Sequence, residues 1–429
     1  MPNQLLTNQE ITFESLDILT NRICVIANAH RDYEKEFGKK GNKIGDTIYV
    51  RKPPRAVGRD GQAYQPEGMV DTEVPITINQ QSGVDFEFST AEKFESLDDL
   101  KRRYLDAYMA SLANKLDSRM ANMMMQNTAN FVGTVGTTPG LSGSDAFQIY
   151  STAGQRLEEM GFPAESESGR EGNRSLIITA GGNTGWNTYT KQFFNPSDSL
   201  TKQWKTGQVN NALGYQWMPT QITPTQTIGL LGGTPAISGA NQTGNSIITN
   251  GWTASITGIL NVGDNLTFAG VYAVNPQTRL STGSLQDFVV QATASSDSGG
   301  NATVIVSPAL VPSGQFQNVT ASPATGALIS VYHVAAAGQS ALSGVQTPQG
   351  ILWTDEAFAW VSFPGDVPEG VDMGATMMYS DHDDSSEFPV ELRFARIWDG
   401  YRDQWVNRFD VYYGMGPLYS EGAVRIALG

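Results

Sequence analysis

Cysteine and histidine are nearly absent: Cys24 is the one cysteine of the 429 residues, and His30, His333 and His382 are the three histidines. One cysteine excludes an intrachain disulfide framework and suits a reducing cytoplasm. On an amphipathic stretch it reads as a small buried side chain rather than a nucleophile. Three histidines in unrelated contexts leave little material for a Ser-His-Asp or Cys-His arrangement. The sequence also lacks a nucleophile elbow and a phosphate-cradling glycine loop. Long apolar runs are missing too. Stretches such as Ser175-Leu176-Ile177-Ile178-Thr179-Ala180 fall far short of the roughly 20 residues a bilayer-spanning helix needs. The start, Met1-Pro2-Asn3-Gln4-Leu5-Leu6, has no basic region followed by an apolar core, so no secretory signal is expected.

Charge is scarce in one region and one-sided elsewhere. From Gln221 to Gly350 the only Asp, Glu, Lys or Arg residues are Asp264, Arg279, Asp287 and Asp297. The formal net charge of −15 argues against a general nucleic-acid binder, which needs a basic footprint. Between His30 and Arg59, however, stand Arg31, Lys35, Lys39, Lys40, Lys43, Arg51, Lys52, Arg55 and Arg59 against four acids. That window carries +5 and the remainder −20. A basic arm on an acidic body suits contacts between copies of the chain, with Arg51, Lys52, Arg55, Arg59, Lys39 and Lys40 as interface candidates. A solvated basic loop is the plainer reading of the same residues.

What is present reads as alternating helical and strand textures. Ile11, Phe13, Leu16, Ile18, Leu19, Ile23, Val25 and Ile26 recur at three- and four-residue spacings, which predicts an amphipathic helix over the first 30 residues. Gly45–Pro54 is a turn feeding a strand that stops at a proline pair. Val74–Asn79 and Val84–Ser89 alternate apolar and polar side chains. With the polar Ala56–Glu73 connection they predict a long two-stranded ribbon, marginal alone and in need of support from elsewhere. Ser96-Leu97-Asp98-Asp99 resembles a capping box. From Leu97 to about Asn130 there is no proline or glycine, and Leu97, Leu100, Tyr104, Tyr108, Leu112, Leu116, Met120 and Met124 form a stripe. This predicts a helix of roughly 50 Å. Met123-Met124-Met125 reads as adaptable core packing.

Ser144–Ile222 reads as α/β. A helix is expected over Asp145–Met160 with Phe147, Tyr150, Leu157 and Met160 inward, then a strand at Leu176–Thr179, a helix after Asn183, and a turn into a strand at Gly214–Pro219. The charge-poor stretch that follows holds short alternating runs, among them Ile247–Thr249, Asn265–Phe268, Asp287–Val290, Ala302–Val306 and Leu328–Val331. These predict an all-β sandwich or barrel. Charge and α/β texture return after Gly350, so the β region reads as an insertion. Strand-like Trp405–Val411 and Ala423–Leu428 close the pattern.

Chemistry is thin. Asp381-His382-Asp383-Asp384-Ser385-Ser386-Glu387 lacks the ligand spacing and glycine of a calcium loop and reads as a solvated acidic loop. No metal, cofactor or catalytic residue is assigned.

The order of elements resembles the Hong Kong 97-type major capsid protein fold, in the subgroup of short-tailed phages whose coat protein carries an inserted domain. Three segments carry the likeness: Gly45–Pro53; Ile259–Tyr272 followed by Thr278-Arg279; and Trp398-Asp399-Gly400, Arg408-Phe409-Asp410 and Tyr412-Tyr413-Gly414. The resemblance implies an α+β chain. Its parts would be an N-terminal arm (1–45), an extended E-loop (46–94), a P-domain spine helix (95–140) and the first part of an A-domain (141–222). An inserted six-stranded β-barrel that supports the monomer (223–346), a return to the A- and P-domains (347–395) and closing P-domain strands (396–429) would follow. It implies a non-enzymatic shell protein that forms hexamers and pentamers of an icosahedral head in the virion, assembled in the host cytoplasm. Implied partners are copies of itself, a scaffolding protein, a portal and packaged double-stranded DNA, with no membrane. In the family a loop of the inserted domain makes charged contacts across capsomers; here Ala236–Gly251 holds no charge. Two other classes stay open on sequence: a phage tail or adhesin protein with a receptor-binding β-domain, and a polysaccharide hydrolase using Asp381, Asp383 or Glu387.

Overall fold

The computed structural model describes residues 8–30, 45, 47–52, 61–62, 72–89, 105–141, 145–162, 174–190, 207, 209, 211–363, 373–377, 390–402 and 404–429. The architecture is α+β, with a few helices among many strands. The chain forms two units, Met1–Arg51 with Glu73–Met120 and Phe358–Leu418, and Lys52–Thr72 with Ala121–Ala357 and Tyr419–Gly429.

In the first unit, helix Asn8–Arg22 buries Ile11, Leu16, Ile18 and Leu19 and leaves Phe13 exposed. It stops short of the 30 residues that the apolar spacing suggests. Asp117 is the reason: its buried carboxylate accepts from Cys24 N (2.8 Å), Cys24 Sγ (3.3 Å) and Ile26 N (3.1 Å). Two backbone donors that would have continued the helix are thus spent on a side chain 93 and 91 residues away. Burial raises the Asp117 carboxyl above its usual range, and these hydrogen bonds oppose that shift.

Asp117 sits on helix Asp106–Asn127, whose face at Met109, Leu112, Leu116, Met120 and Met124 is wholly buried. Met109 replaces Tyr108 in the expected stripe; Tyr108 turns aside to stack on Phe86, ring centres 5.0 Å apart. Leu97, Leu100, Tyr104 and the expected cap at Ser96 lie outside the described residues.

The ribbon differs from expectation. Thr47–Lys52 pairs with Thr72–Thr77, burying Ile48, Val50 and Ile76 on one side and exposing Tyr49, Arg51 and Glu73 on the other. Strand Gln80–Ser89, which contains Val84–Ser89, is no part of it. It pairs along its length with Gln404–Tyr413 in a five-stranded sheet that also holds Phe358–Phe363, Met373–Met377 and Leu392–Asp399. Alternation fixes which side chains share a face and says nothing of the partner strand. Gly83 permits the close pairing, since a Cβ there would lie 2.5 Å from the Phe409 carbonyl and 2.6 Å from Asp410 Oδ1.

In the second unit, Asp145 caps helix Ala146–Glu159 by accepting from Gln148 N (3.3 Å). Ala146, Tyr150, Ala153 and Leu157 face inward. Phe147, expected inward, is 46% exposed: it lies about 100° round the helix from that stripe and stacks on Tyr189 instead. Helix Ala180–Thr190 starts a little ahead of its expected place, and Trp186 joins Tyr150 and Trp217 in an aromatic cluster with ring centres 4.7–5.7 Å apart. A seven-stranded sheet backs this layer. Its order is Asn130–Val132, Ala423–Ala427, Gln346–Thr354, Arg174–Ile178, Tyr215–Pro219 and Asn211–Ala212, with Thr225–Thr227 on the leading end of Gln346–Thr354.

Between Thr225–Thr227 and Gln346–Thr354 the chain builds an antiparallel six-stranded sheet. Its order is Ile329–Val331, Asn265–Val274, Ser281–Val290, Ala302–Leu310, Gly244–Trp252 and Gly233–Ile237. Ile237 N donates to Ala327 O (3.0 Å), Gly326 N donates to Ile237 O (2.9 Å), and Ala236 bridges Leu328. These bonds join the two ends of the sheet into a barrel, which removes exposed edges. Phe268, Phe288, Val271, Val304 and Ile247 fill it. Phe131 and Ala427, from the seven-stranded sheet, belong to the same apolar cluster.

Candidate functional site

Of the six interface candidates read from the sequence, Lys39, Lys40, Arg55 and Arg59 lie outside the described residues. Arg51 Nε contacts Glu73 Oε1 at 3.1 Å across the ribbon while remaining 76% exposed. Lys52 Nζ lies 4.8 Å above the Tyr419 ring. The structure thus gives Arg51 and Lys52 partners within their own chain. Asp381, His382, Asp383 and Glu387 also lie outside the described residues. Among the described residues no cluster of His, Cys, Asp and Glu is arranged to hold a metal.

Among the described residues, a dense set of polar contacts lies where the six-stranded barrel meets the rest of its own unit. Asp264 opens strand Asn265–Val274 and is wholly buried. Its Oδ2 accepts from Gly229 N (3.0 Å) and Asn261 N (2.8 Å), and its Oδ1 from Gln226 Nε2 (3.0 Å) and the Tyr332 hydroxyl (3.4 Å). Burial pushes its carboxyl up to about 6, against the pull of those donors and of the nearby Arg425 charge. Burial likewise raises the Tyr332 phenol.

Arg425 comes from the inner strand Ala423–Ala427, next to the edge strand Asn130–Val132, and is also wholly buried. Its Nη1 donates to Gly263 O (2.6 Å), at the base of the barrel, and to Met125 O (3.3 Å), near the end of the long helix. The guanidinium faces the Tyr332 ring at 5.8 Å. A buried arginine is expensive unless its charge and donors are met. Here Nη1 meets two carbonyls, and an aromatic face and the nearby Asp264 charge help hold the cation, while Nε and Nη2 have no acceptor among the described residues.

A second cluster lies on strand Ser281–Val290. Asp287, almost wholly buried, accepts from Phe131 N (3.3 Å), meets His333 Nε2 at 2.7 Å and stands 3.8 Å from Arg156 Nη2. Phe131 meets Tyr332 edge to face, ring centres 4.9 Å apart. Around these clusters the barrel's amides donate outward: Asn265 to Ala129 O, Gln291 to Gln126 O (3.1 Å) and Asn275 to Glu159 O (2.9 Å).

Sequence reasoning missed this seam, although one signal pointed at it. The four charged residues of the charge-poor region are all committed. Asp264 and Asp287 lie in the seam. Asp297 closes a turn by accepting from Gly299 N and Asn301 N (both 2.8 Å), and Arg279 donates to Gly314 O (2.9 Å) and Gln315 O (3.1 Å). A charge that survives in a region otherwise stripped of charge is a candidate for a structural task. The first unit has its own clamp, where Arg393 and Arg408 converge on the buried Asp410 carboxylate. Arg408 and Asp410 belong to a segment that carried the family resemblance.

What this site can do chemically is hold parts together. It presents buried carboxylates engaged by the chain's own donors, and an Arg425 guanidinium whose Nη1 bridges two of the chain's carbonyls.

Residues 235–422, rather less than half of the chain, match the family described as P22 coat protein, gene protein 5. No curated protein matches in sequence. Solved structures similar to the chain include one from Mycobacterium phage Che8, at 13% identity and a TM-score of 0.44, covering 94% of this chain and 90% of that one. A capsid of Ralstonia phage GP4 is similar at 6% identity and a TM-score of 0.44, covering 94% and 88%. A capsid structure of the cyanophage P-SCSP1u is similar at 9% identity and a TM-score of 0.42, covering 95% and 88%.

Proposed function

We propose that the chain is the major capsid protein of a tailed bacteriophage, with a structural and non-enzymatic role as the repeating subunit of a closed shell. One observation carries the reading: the coat-protein family match runs from the barrel's strand Gly233–Ile237 through the return to the five-stranded sheet and on to Gly422. It therefore takes in both the barrel and the strands that follow it, which supports reading the barrel as an insertion in a coat-protein body. A receptor-binding tail protein would have no reason to share that continuous stretch with a coat protein.

On this reading the ribbon is the E-loop, the helix Asp106–Asn127 the P-domain spine, the seven-stranded sheet with its helices the A-domain, and the barrel the inserted domain that supports the monomer. Copies of the chain form hexamers and pentamers of the virion's icosahedral head, in the host cytoplasm, around a scaffolding protein and with a portal at one vertex. The head encloses double-stranded DNA without sequence-specific contact. An acidic body disfavours trapping the packaged DNA. Purified protein mixed with scaffolding protein should sediment as fast-moving particles. A slow, monomeric species under all such conditions would refute the assignment.

A further inference from the structure

We propose that the strand Ala423–Ala427 is a latch that locks the barrel onto its own unit, and that the chain becomes competent to assemble only when this strand is seated. The assembly half rests on the shell reading above; the latch itself does not.

The argument starts from position in the sheet. Ala423–Ala427 is not an edge strand. On one side it pairs in parallel with Asn130–Val132, Val424 opposite Asn130 and Ile426 opposite Val132. On the other it pairs antiparallel with Gln346–Thr354, Ala423 opposite Trp353 and Ala427 opposite Gln349. Its five residues are all buried. The two neighbouring strands have no direct pairing with each other, so the sheet has a break of one strand until this segment arrives.

The same strand ties the barrel. Arg425 Nη1 joins Gly263 O, 162 residues earlier, to Met125 O, 300 residues earlier. Ala427 fills part of the barrel's own apolar cluster beside Phe131. Flanking bonds seat the strand from both ends: Asn130 Nδ2 donates to Ala423 O (3.0 Å) and Glu421 O (3.1 Å), Leu428 N to Pro348 O (3.1 Å), and Thr138 Oγ1 to Leu428 O (2.9 Å).

Every group the strand joins precedes it in the chain. During synthesis the long helix, the barrel and the rest of the sheet emerge first, with the slot still open. The Asp287–Phe131 and Asn265–Ala129 bonds then hold the barrel to a strand, Asn130–Val132, that has not yet gained its neighbour. A subunit lacking the latch would present an unpaired strand edge and a loosely held barrel, both unsuited to joining a shell. The order of the chain therefore withholds assembly from incomplete subunits.

The test is native-state hydrogen exchange of the full-length, wild-type protein under rising denaturant, read by mass spectrometry. Amides of 423–427, of 129–132 and of 261–265 should open together as one cooperative step, while the barrel's inner strands stay protected to higher denaturant. Separate opening of 423–427, with 261–265 still protected, would overturn the latch. Arg425→Lys keeps the charge but offers a single ammonium in place of the forked guanidinium. It should open that same set roughly tenfold faster, as loss of one charge-assisted hydrogen bond implies, and leave 299–301 and 314–318 unchanged. Unchanged exchange across the set would likewise overturn it. If Arg425→Lys loosens the seam yet assembles at wild-type yield in sedimentation, the assembly half fails. If the wild type forms no shells either, the shell reading fails, and the exchange data alone judge the latch.

Discussion

Asp264 shows what a single residue contributes here. Four donors converge on its carboxylate, yet burial leaves its carboxyl up at about 6. An acid that holds its proton more tightly folded than unfolded stabilises the fold most below its unfolded pKa, near 4. That contribution is lost as pH rises through about 6. The span is worth about 3 kcal/mol as an order of magnitude. Asp264→Asn should flatten the fall in stability between pH 4 and 6, read by chemical denaturation; an unchanged slope would show that Asp264 does not set it. Asp264→Ala, which orphans the Gly229 and Asn261 N–H groups, should cost about 2–4 kcal/mol at neutral pH. Leu112, wholly buried on the long helix, makes a simpler case. Leu112→Ala should cost about 2–5 kcal/mol, and no loss in the same assay would mean its face is not core.

The elements divide into those whose own sequence specifies them and those whose partner lies far along the chain. The Met109–Met124 face is legible from three- and four-residue spacing because a helix is a local structure. The barrel's strands are legible from short alternating runs between turn residues. The place of strand Gln80–Ser89 is not legible because alternation gives no partner, and its partner Gln404–Tyr413 follows more than 300 residues later. Asp264 and Arg425 stood in plain view, but neither shows in sequence that it meets the other's surroundings. Phe147 reads as inward because it is an aromatic on a helix, yet its position falls off the Ala146–Tyr150–Ala153–Leu157 face.

The barrel invites a test at this scale. Residues 223–346 expressed alone should give a β-type circular dichroism spectrum with dispersed amide signals, since the sheet closes on itself. The fragment should nevertheless unfold at lower denaturant than the same strands in the full chain, because Phe131, Ala427 and Arg425 are missing. A disordered or helical spectrum would contradict an independently closed barrel. The ribbon offers a complementary case. Exposed ion pairs such as Arg51–Glu73 contribute only about 0–1 kcal/mol, so one charge change should leave the subunit folded. Changing Arg51, Lys52, Arg55 and Arg59 together to Glu should keep the monomer while shifting sedimentation from particles to small species. Normal particles at low and high salt alike would show that the ribbon's charge plays no part in assembly.

For the whole molecule, the features point one way. Buried charges are committed to internal clamps, and the sheet ends of the barrel are joined. The overall charge is −15 with a basic window near the start, a distribution suited to repeated contact between copies. In a shell each weak contact recurs in every subunit, so small pairwise energies add up to a stable particle. The measurement that bears most directly on this account is negative-stain electron microscopy of the purified protein mixed with a candidate scaffolding protein. Closed, uniform shells of regular hexameric and pentameric clusters are the predicted result. Dispersed monomers of wild-type protein that stay unassembled across concentration, salt and scaffold ratio would contradict it.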